Sequence, residues 1–572
     1  MRFHVLGVGS IGSLFATNLA SLPSSQVRLI LRRKDLAGQL LNAPSPSSSS
    51  GASSPPGSTP LGSLTVERNG IARRVSNFEM ELTRSSNDVY ESSTLSVNSS
   101  GRSSPRIDPR LWNRNDPIET LVVTTKAPST LPAIRHLLPR LSSRSTIVLC
   151  QNGMGVLEGL LARYWPEDRS DLLEAERDEA GGRGRWGSGG GRPSFVVATT
   201  THGAWRKGAG HFVHAGMGDV KFGVVPNRAV LSTLSSYPDP TWPSPADNPL
   251  LNPRSLVPPA LSHLPYTPST STLHTTLSSL LSCTELNPAW LPLPTLQVAQ
   301  LQKLAVNASV NSLTALVGVN NGALVGSQKA KRVIETVCGE CSAVFAAHLA
   351  REEGSWAPPP PLGEDGAVSP FSAEHPPPPS LPDSHPLSAL SLLDYTLRIL
   401  FKTSPNISST LADLLPHQSS SAPFNLAENA PSLPSRTEIE YINGYVVALG
   451  RRYGVQAPTV KALGEMVLLK EEMGRVGAID RMWDSRRRAG SRSPPPSAAT
   501  AAKDEKSVFS RSSPSSPSSS RSSSPPSQKA SPRQRAHVRA AQHEQFKRER
   551  EGRAHEKRVE RIRGEQERGQ GG

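Results

Sequence analysis

The segment Phe3-His4-Val5-Leu6-Gly7-Val8-Gly9-Ser10-Ile11-Gly12 decides the fold of this chain. It is an apolar strand that runs directly into a turn with the glycine spacing G-x-G-x-x-G. Residues 13–20 then have a helical pattern, and Gln26-Val27-Arg28-Leu29-Ile30-Leu31 predicts a second strand. Glycines spaced in this way between a strand and a helix are typical of dinucleotide-binding βαβ units. We therefore predict an α/β domain of the Rossmann type at the N terminus.

Each glycine of this turn has a separate predicted role. Gly7 permits the tight turn, Gly9 lets the backbone approach a pyrophosphate, and Gly12 lets the helix pack closely on the strand. The helix N-terminus adds free N–H groups and the positive end of its dipole. An ordinary glycine-rich turn is the alternative, but the flanking strands and helix favour cofactor binding. The predicted phosphate-binding residues are Gly7, Val8, Gly9, Ser10, Ile11 and Gly12.

The end of the second predicted strand indicates which dinucleotide binds. Arg32-Arg33-Lys34 stands where NAD enzymes usually have Asp or Glu for the ribose 2′-hydroxyl. A carboxylate there would repel a 2′-phosphate, whereas a guanidinium can bind it through two hydrogen bonds. A solvated basic turn is the alternative. We predict NADPH as the cofactor, with Arg32 on its 2′-phosphate.

The composition predicts several ordered pieces separated by long low-complexity segments. The chain has 572 residues with 53 prolines, and its Pro- and Ser-rich blocks lack the apolar residues that a core needs. We predict a dinucleotide-binding domain over 1–236, a Pro/Ser-rich linker over 237–294, a helical substrate domain over 295–484 and a disordered basic tail over 485–572. Within the domains we expect low-complexity insertions near 42–116, 166–192 and 355–386.

The positive charge of the chain is concentrated in the predicted tail. The whole sequence has a net charge of +15, of which the residues from Ser485 onward contribute +12. A basic tail of this kind could bind nucleic acid or an acidic partner. It lacks the interleaved aromatic residues typical of single-strand binding surfaces. The simpler interpretation is a solvated extension.

The cysteines and the hydropathy pattern give expectations about the compartment. The four cysteines do not form the framework of a secreted disulfide-rich domain. Cys338 and Cys341 form a C-x-x-C pair within a helical pattern, for which packing is the simpler interpretation than redox chemistry or zinc, so we predict no metal. No apolar run approaches the roughly 20 residues of a membrane span. With the first strand beginning at residue 3, we expect no presequence and a cytoplasmic protein, a mitochondrial location being the alternative.

Polar residues follow two further predicted strands. Residues 119–125 read as a buried strand that ends at Lys126, and residues 145–150 as another that precedes Asn152. Open parallel sheets bind ligands at the carboxyl ends of their strands, so both side chains could reach a cofactor. Asn152-Gly153 could also be a plain turn. His202 follows a later strand, and an ordinary loop histidine is its simpler interpretation.

A helical segment near the middle of the chain bears an unusual polar stripe. Lys303, Asn307 and Asn311 recur at i, i+4 and i+8 within residues 296–316, which places them on one face of an α-helix. A solvent-facing stripe would favour Glu, Arg and more Lys over repeated Asn. The pattern favours a surface that reads a ligand. Two later segments, 406–413 and 436–445, read as helix starts at which Ser408 and Thr437 could be simple caps.

Taken together, these motifs resemble the 2-dehydropantoate 2-reductase (ketopantoate reductase) family. The matching motifs, in chain order, are Gly7–Gly12, Thr125-Lys126-Ala127, 151–155 (Gln-Asn-Gly-Met-Gly), the Lys303/Asn307/Asn311 stripe, 406–409 (Asn-Ile-Ser-Ser) and 436–444 (Arg-Thr-Glu-Ile-Glu-Tyr-Ile-Asn-Gly). The resemblance implies an NADPH-binding Rossmann domain and an all-helical C-terminal domain with the site between them. The implied reaction is reduction of 2-dehydropantoate to (R)-pantoate, a step toward pantothenate and coenzyme A.

The resemblance also implies a role for each matching residue. Lys303 would be the general acid, its pKa lowered by burial, and Glu438 would contact the nicotinamide ribose and influence the protonation of that lysine. Lys126, Asn152 and Ala204 would lie at the cofactor. The residues implied to bind substrate are Lys303, Asn307, Asn311, Asn321, Asn406 and Ser409.

Three functional hypotheses follow from the sequence. The first is an NADPH-dependent oxidoreductase acting on ketopantoate, with a small 2-keto acid as its partner and a possible homodimer as its assembly. The second is a reductase-like scaffold that uses its basic tail for RNA or organelle regulation. The third is a reductase of another 2-keto acid, which the asparagine cluster does not exclude.

Overall fold

A computed structural model describes residues 1–41, 61–83, 115–166, 191–237, 247–352, 380–415 and 435–490, all of which belong to one compact unit covering Met1–Ser493. The predicted insertion over 166–192 lies almost wholly outside these residues, as do most of the one over 355–386 and the tail beyond Gly490. The helix that precedes the tail ends at Gly490, five residues later than the boundary predicted at Ser485.

The N-terminal half of the described chain forms one mixed sheet of eleven strands. The strands are β1 Arg2–Leu6, β2 Gln26–Leu31, β3 Leu61–Arg68, β4 Ile71–Leu82, β5 Thr120–Val123, β6 Thr146–Leu149, β7 Ser194–Thr200, β8 Gly203–Gly208, β9 His211–Gly216, β10 Val220–Val225 and β11 Pro288–Trp290. Their order is β11-β10-β7-β6-β5-β1-β2-β4-β3-β9-β8. Strand β1 pairs in parallel with both β2 and β5, so the chain reverses its direction of travel through the sheet at β1. Such a switch point leaves a crevice at the carboxyl ends of the strands.

The sheet is curled. Strands β7 and β8 are joined by two residues, Thr201 and His202, yet they lie eight places apart in the strand order. A flat sheet could not bring these places together, because neighbouring strands are about 4.8 Å apart. The curl therefore brings the far edge of the sheet back toward the end of β7.

Helices cover this sheet and form the C-terminal half. They are α1 Ser10–Ala20, α2 Lys34–Leu41, α3 Ala127–Arg135, α4 Val156–Tyr164, α5 Arg228–Ser235, α6 Ser271–Ser282, α7 Leu293–Val306, α8 Ser312–Val317, α9 Gln328–Glu352, α10 Ala389–Lys402, α11 Ser409–Leu414, α12 Asn443–Arg452 and α13 Pro458–Gly490. One π-helical turn, Asn307–Asn311, joins α7 to α8. The predicted combination of a Rossmann-type domain with an all-helical C-terminal domain is confirmed.

Two apolar cores hold the sheet, and a large and a small core hold the helices. Phe3 and Val5 of β1 pack with Phe15 of α1 on one face of the sheet. Leu6 points the other way and packs with Ile134 of α3, as the period of two along a strand requires. Helix α9 is long and apolar enough to cross a membrane by length and composition. Over its most apolar 18-residue window, 56% of the helix is buried, and many of its buried residues lie in the helical core, so we assign it to that core.

Two predictions from composition are wrong. The region 42–116 is not one low-complexity insertion, because 61–82 forms the paired strands β3 and β4. The region 237–294 is not a linker, because it contains helix α6 and strand β11, the latter paired with β10. Buried Leu273, Leu277 and Leu280 hold α6 on the sheet core. The i, i+4, i+7 spacing of these leucines predicts a helix. The prediction of a linker followed instead the Pro and Ser residues that surround them.

Several charged residues form a buried network on the face of the sheet that α3 covers. Arg28 of β2 is 1% exposed, and its Nε and Nη1 donate to Glu79 (2.8 Å) and Asp116 (2.6 Å). Arg140 donates to the backbone oxygen of Asp116 and pairs with buried Glu81. Burial and the nearby Arg28 lower the pKa of His4 to about 3, so that ring stays neutral. Each of these charges has an opposite charge beside it, as burial demands.

Candidate active site

The glycine turn between β1 and α1 has the geometry that its spacing predicts. Gly7 has a φ of +100°, and a Cβ there would lie 2.5 Å from the backbone nitrogen of Thr125. A Cβ on Gly12 would lie 2.0 Å from the carbonyl oxygen of Gly7. That oxygen also accepts a hydrogen bond from Thr124 Oγ1 (2.6 Å). Both positions therefore require glycine to keep the turn, the helix and the end of β5 in contact.

Gly9 differs, because no described atom lies within 4 Å of a Cβ built there. Gly9 is the N-cap of α1, whose first turn contains no acidic residue. Unpaired backbone N–H groups at a helix start bind phosphate. The residues present thus fit a dinucleotide pyrophosphate at Gly9, with Val8 and Ile11 partly buried against the sheet core. Arg32 is exposed at the end of β2.

Gly9 and Gly12 offer a matched pair of substitutions. Gly9→Ala is expected to fold with a melting temperature near that of the wild type but to bind dinucleotide at least about tenfold more weakly, because the methyl group occupies the phosphate space. Gly12→Ala is expected to lose about 1–3 kcal/mol of stability, because its methyl meets backbone. Thermal unfolding and titration with NADPH and NADH measure both. Wild-type affinity in Gly9→Ala would exclude a pyrophosphate at this turn.

Lys303 lies in the last turn of α7 and points at the end of β7. Its Nζ donates three hydrogen bonds: to Asn152 Oδ1 (3.1 Å), Thr199 Oγ1 (3.2 Å) and the carbonyl oxygen of Thr200 (2.7 Å). Burial lowers the pKa of Lys303, and the negative charges of Glu438 and Asp219 oppose that shift. Burial also raises the pKa of Cys150 to about 11, so its thiol stays neutral. An ammonium with a lowered pKa is a better proton donor near neutral pH.

Asn152 connects Lys303 to Glu438. The amide Nδ2 of Asn152 donates to Glu438 Oε2 (3.3 Å), which leaves its oxygen turned toward Lys303. The other carboxylate oxygen of Glu438 accepts from the backbone N–H of Ala127 (3.0 Å) at the start of α3. Burial raises the pKa of Glu438, and the positive charge of Lys126 opposes the rise. The carboxylate thus fixes the orientation of the amide and acts on the lysine through it.

Lys126 forms an ion pair with Asp413 of α11. Burial raises the pKa of Asp413, and Lys126 again opposes the shift. Because Lys126 follows β5 and Asp413 comes from the helical half, the pair joins the two halves of the described chain beside Glu438. Its predicted contact with a cofactor remains a prediction.

The polar stripe on α7 continues through a π-turn rather than a regular α-helix. Asn307 keeps the expected i+4 relation to Lys303, because its backbone N–H bonds to the carbonyl oxygen of Lys303. The π-turn over Asn307–Asn311 is wider than an α-helical turn, so Asn311 does not follow the expected i+8 geometry. Asn307 lines a cavity with Lys303, Gln300 and Thr199. Asn311 is buried farther along, with its Nδ2 3.5 Å from Ser409 Oγ.

The remaining residues implied to bind substrate form a neighbouring group. Asn321 donates from its backbone to the carbonyl oxygen of Asn406 (3.0 Å) and from its side chain to Thr403 (2.9 Å). Its own Oδ1 is buried without a partner in the described part of the chain. Asn406 Nδ2 lies 3.9 Å from the position of a Cβ on Gly203, next to Ala204 of β8. Ala204 itself pairs with His214 across the strands.

Ser408 and Thr437, the two candidate helix caps, differ in their bonding. Ser408 caps α11 by accepting from Leu411 N, whereas Thr437 donates to Glu471 instead of capping a helix. Cys338 and Cys341 are buried and free on α9, and the described residues contain no cluster suited to a metal ion.

His202 is not an ordinary loop residue. It is buried, accepts from Gly218 N and contacts the ring of His214 at 3.0 Å. These contacts make it part of the packing behind β7 and β8.

Sequence reasoning missed three residues that line the cavity, Thr199, Gln300 and Leu304, whereas Met154 belongs to the 151–155 motif already quoted. Gln300 stands three residues before Lys303, and that spacing places both on one helix face. Thr199 lies near the carboxyl end of β7, as Lys126 and Asn152 do for their strands. The same rule about strand ends could have identified it.

Comparison with known proteins identifies a consistent set of relatives. The family model "Ketopantoate reductase PanE/ApbA" matches residues 65–227, and the model of its C-terminal domain matches 295–421 and 434–471. A probable 2-dehydropantoate 2-reductase of Schizosaccharomyces pombe is 27% identical over 82% of this chain and 96% of its own length. The 2-dehydropantoate 2-reductase of Saccharomyces cerevisiae is 22% identical over 64% and 77%. A ketoisovalerate reductase of Gibberella fujikuroi is 23% identical over 60% and 59%.

Proposed function

The chain belongs to the ketopantoate reductase family of oxidoreductases, and we propose that it reduces 2-dehydropantoate to (R)-pantoate with NADPH, a step toward pantothenate and coenzyme A. The observation that carries this proposal is the position of Lys303. Its ammonium lines a cavity with Asn307, and Asn152 connects it to Glu438. A proton donor and amide side chains at one cavity suit a 2-keto acid, which carries one carbonyl to be protonated and polar groups to be bound.

In the proposed reaction, a dinucleotide held at the glycine turn between β1 and α1 would supply a hydride to C2 of the keto acid. The carbonyl oxygen then gains negative charge, and Lys303 Nζ both stabilises that charge and donates its proton. Asn152 keeps the ammonium aimed, since its amide is held by Glu438 on the other side. Asn307 follows Lys303 along the helix, and Asn311 with its partner Ser409 follows in turn. We place the carboxylate and the hydroxyl group of the substrate at these side chains.

The preference for NADPH is proposed from Arg32. Arg32→Glu is expected to lower kcat/KM for NADPH by about 10- to 100-fold, because a hydrogen-bonded charge pair is replaced by repulsion. Turnover with NADH is expected to change little. Steady-state rates with both cofactors measure this, and exposed Arg254→Glu controls for the change in net charge. Equal losses with both cofactors would contradict a 2′-phosphate contact.

The activity is tested by following NADPH oxidation at 340 nm with 2-dehydropantoate and the purified full chain. Turnover that depends on the keto acid supports the proposal, and its absence from a cooperatively folded protein overturns it. The likeness to a ketoisovalerate reductase favours 2-ketoisovalerate as the second candidate substrate. This compound lacks the hydroxyl group of 2-dehydropantoate, so a higher kcat/KM for it would assign the chain to that reaction.

A further inference from the structure

The environment of Lys303 leaves its ammonium with no free donor. A lysine ammonium has three N–H groups, and three oxygens accept from it: Asn152 Oδ1, Thr199 Oγ1 and the carbonyl oxygen of Thr200. To donate a proton to a substrate oxygen, the ammonium must give up one of these bonds. Which of the three hydrogen bonds breaks determines how Lys303 changes from the hydrogen-bonded ammonium to the proton donor.

Two of the three acceptors are fixed. The carbonyl oxygen of Thr200 belongs to the last residue of β7, whose backbone is paired with β10. The oxygen of Asn152 is held in place because the amide nitrogen donates to Glu438. Both atoms can only accept hydrogen bonds in these orientations, so both favour the charged lysine.

The hydroxyl of Thr199 is different. It can accept from an ammonium or donate to a neutral amine, since its hydrogen rotates about the C–O bond. Thr199 is 7% exposed and lines the same cavity as Lys303 and Asn307. Within the described ranges, the bond from Lys303 is the single hydrogen bond that Thr199 Oγ1 makes, so its own hydrogen is free to turn.

We propose that Thr199 is the positioning residue that releases Lys303 Nζ for proton donation and then holds the resulting amine. This inference rests on the proposed function. When the N–H bond of Lys303 breaks, its proton forms the hydroxyl of the product and the electron pair stays on Nζ. The Thr199 hydroxyl then turns and donates to that electron pair. Solvent later returns a proton to Nζ, and Thr199 becomes an acceptor again.

Two substitutions separate this role from simple packing. Thr199→Val keeps nearly the same volume without the hydroxyl, and it is expected to lower kcat by about 10- to 100-fold with a smaller change in KM. Thr199→Ser keeps the hydroxyl and is expected to restore most of kcat. Thr276→Val is the matched control, because Thr276 is also buried but its hydroxyl bonds to Thr120, outside the cavity.

The pH dependence gives a readout that a packing defect would not move. The Thr199 hydroxyl bonds more strongly to the charged ammonium than to the neutral amine, because a hydrogen bond with an ionised partner is the stronger one. Its loss therefore disfavours the charged lysine, so the alkaline limb of kcat should move to lower pH in Thr199→Val and return in Thr199→Ser. The carboxylates of Glu438 and Asp219 also act on the charge of Lys303, and the neutral thiol of Cys150 lies near it; all three residues are unchanged in these variants. A fall in kcat with an unmoved alkaline limb would overturn the proposal.

A measurement without turnover completes the test. In the full chain labelled with ¹³C at lysine Cε, and with Lys303→Ala to assign the signal, the titration of Lys303 should shift to lower pH in Thr199→Val but not in Thr276→Val. An unshifted titration contradicts the role of Thr199 even if the enzyme is active. Absence of wild-type turnover would overturn the proposed function instead, so the two failures are distinguishable.

Discussion

Lys303→Ala is expected to lower kcat by about 10²- to 10⁴-fold, the range that a positioned general acid contributes. Dinucleotide binding should change little, because the glycine turn lies on β1 and α1, apart from α7. The protonated lysine is the active form and burial lowers its pKa. Wild-type activity should therefore fall as pH rises through a value below the usual range of lysine, and this alkaline limb should be lost with the side chain.

Single-turnover NADPH oxidation, which measures the chemical step, gives the sharpest test of this prediction. Lys303→Met removes the charge but keeps the length of the side chain, so it separates the proton donor from the space it fills. Lys207→Ala is the control, because Lys207 is exposed and pairs with Glu67. A kcat within about threefold of the wild type in Lys303→Ala would show that another group donates the proton.

The Rossmann-type half was predictable because its signals are local. The strand predicted over 26–31 is the strand observed, and the helix after the glycine turn ends at Ala20 as predicted but begins at Ser10, three residues earlier than predicted. These features depend on the alternation of apolar residues and on glycines whose Cβ would collide with neighbouring backbone. The resemblance to the ketopantoate reductase family is also confirmed, since its motifs are short and keep their order along the chain.

The arrangement around Lys303 was not predictable in the same way. Lys303 lies on α7, Asn152 follows β6 and Thr199 lies on β7. Along the chain, the lysine is more than a hundred residues away from either partner. No repeating pattern of residue types in the sequence predicts that these three side chains come into contact. The π-turn over Asn307–Asn311 was also missed, since the i, i+4, i+8 spacing fits an ordinary helix. Strands β3 and β4 were missed because the surrounding Pro- and Ser-rich segments suggested an insertion, although apolar and polar residues alternate within the strands themselves.

Arg28→Met is expected to have the largest effect on stability, a loss of about 3–5 kcal/mol. The substitution removes the cation from between Glu79, Glu81 and Asp116 and leaves their charges in or near the sheet core. Although burial opposes it, the hydrogen bond from Arg28 lowers the pKa of Asp116 in the folded protein. Without Arg28 that pKa should rise, so acid should destabilise the variant less steeply than the wild type. Equilibrium unfolding in urea at several pH values measures both effects.

The matched control for Arg28 is Arg2, which contacts Glu79 (3.5 Å) and the same Asp116 oxygen (3.1 Å) but has a 36% exposed side chain. Water can replace its contacts, so Arg2→Met should cost no more than about 1 kcal/mol. Adding Glu79→Gln to Arg28→Met should recover part of the loss, because it removes one uncompensated carboxylate. If Arg2→Met and Arg28→Met lowered the free energy of unfolding by the same amount, burial would not be the cause of the contribution of Arg28 to stability. The difference between them therefore measures the desolvation of this network directly.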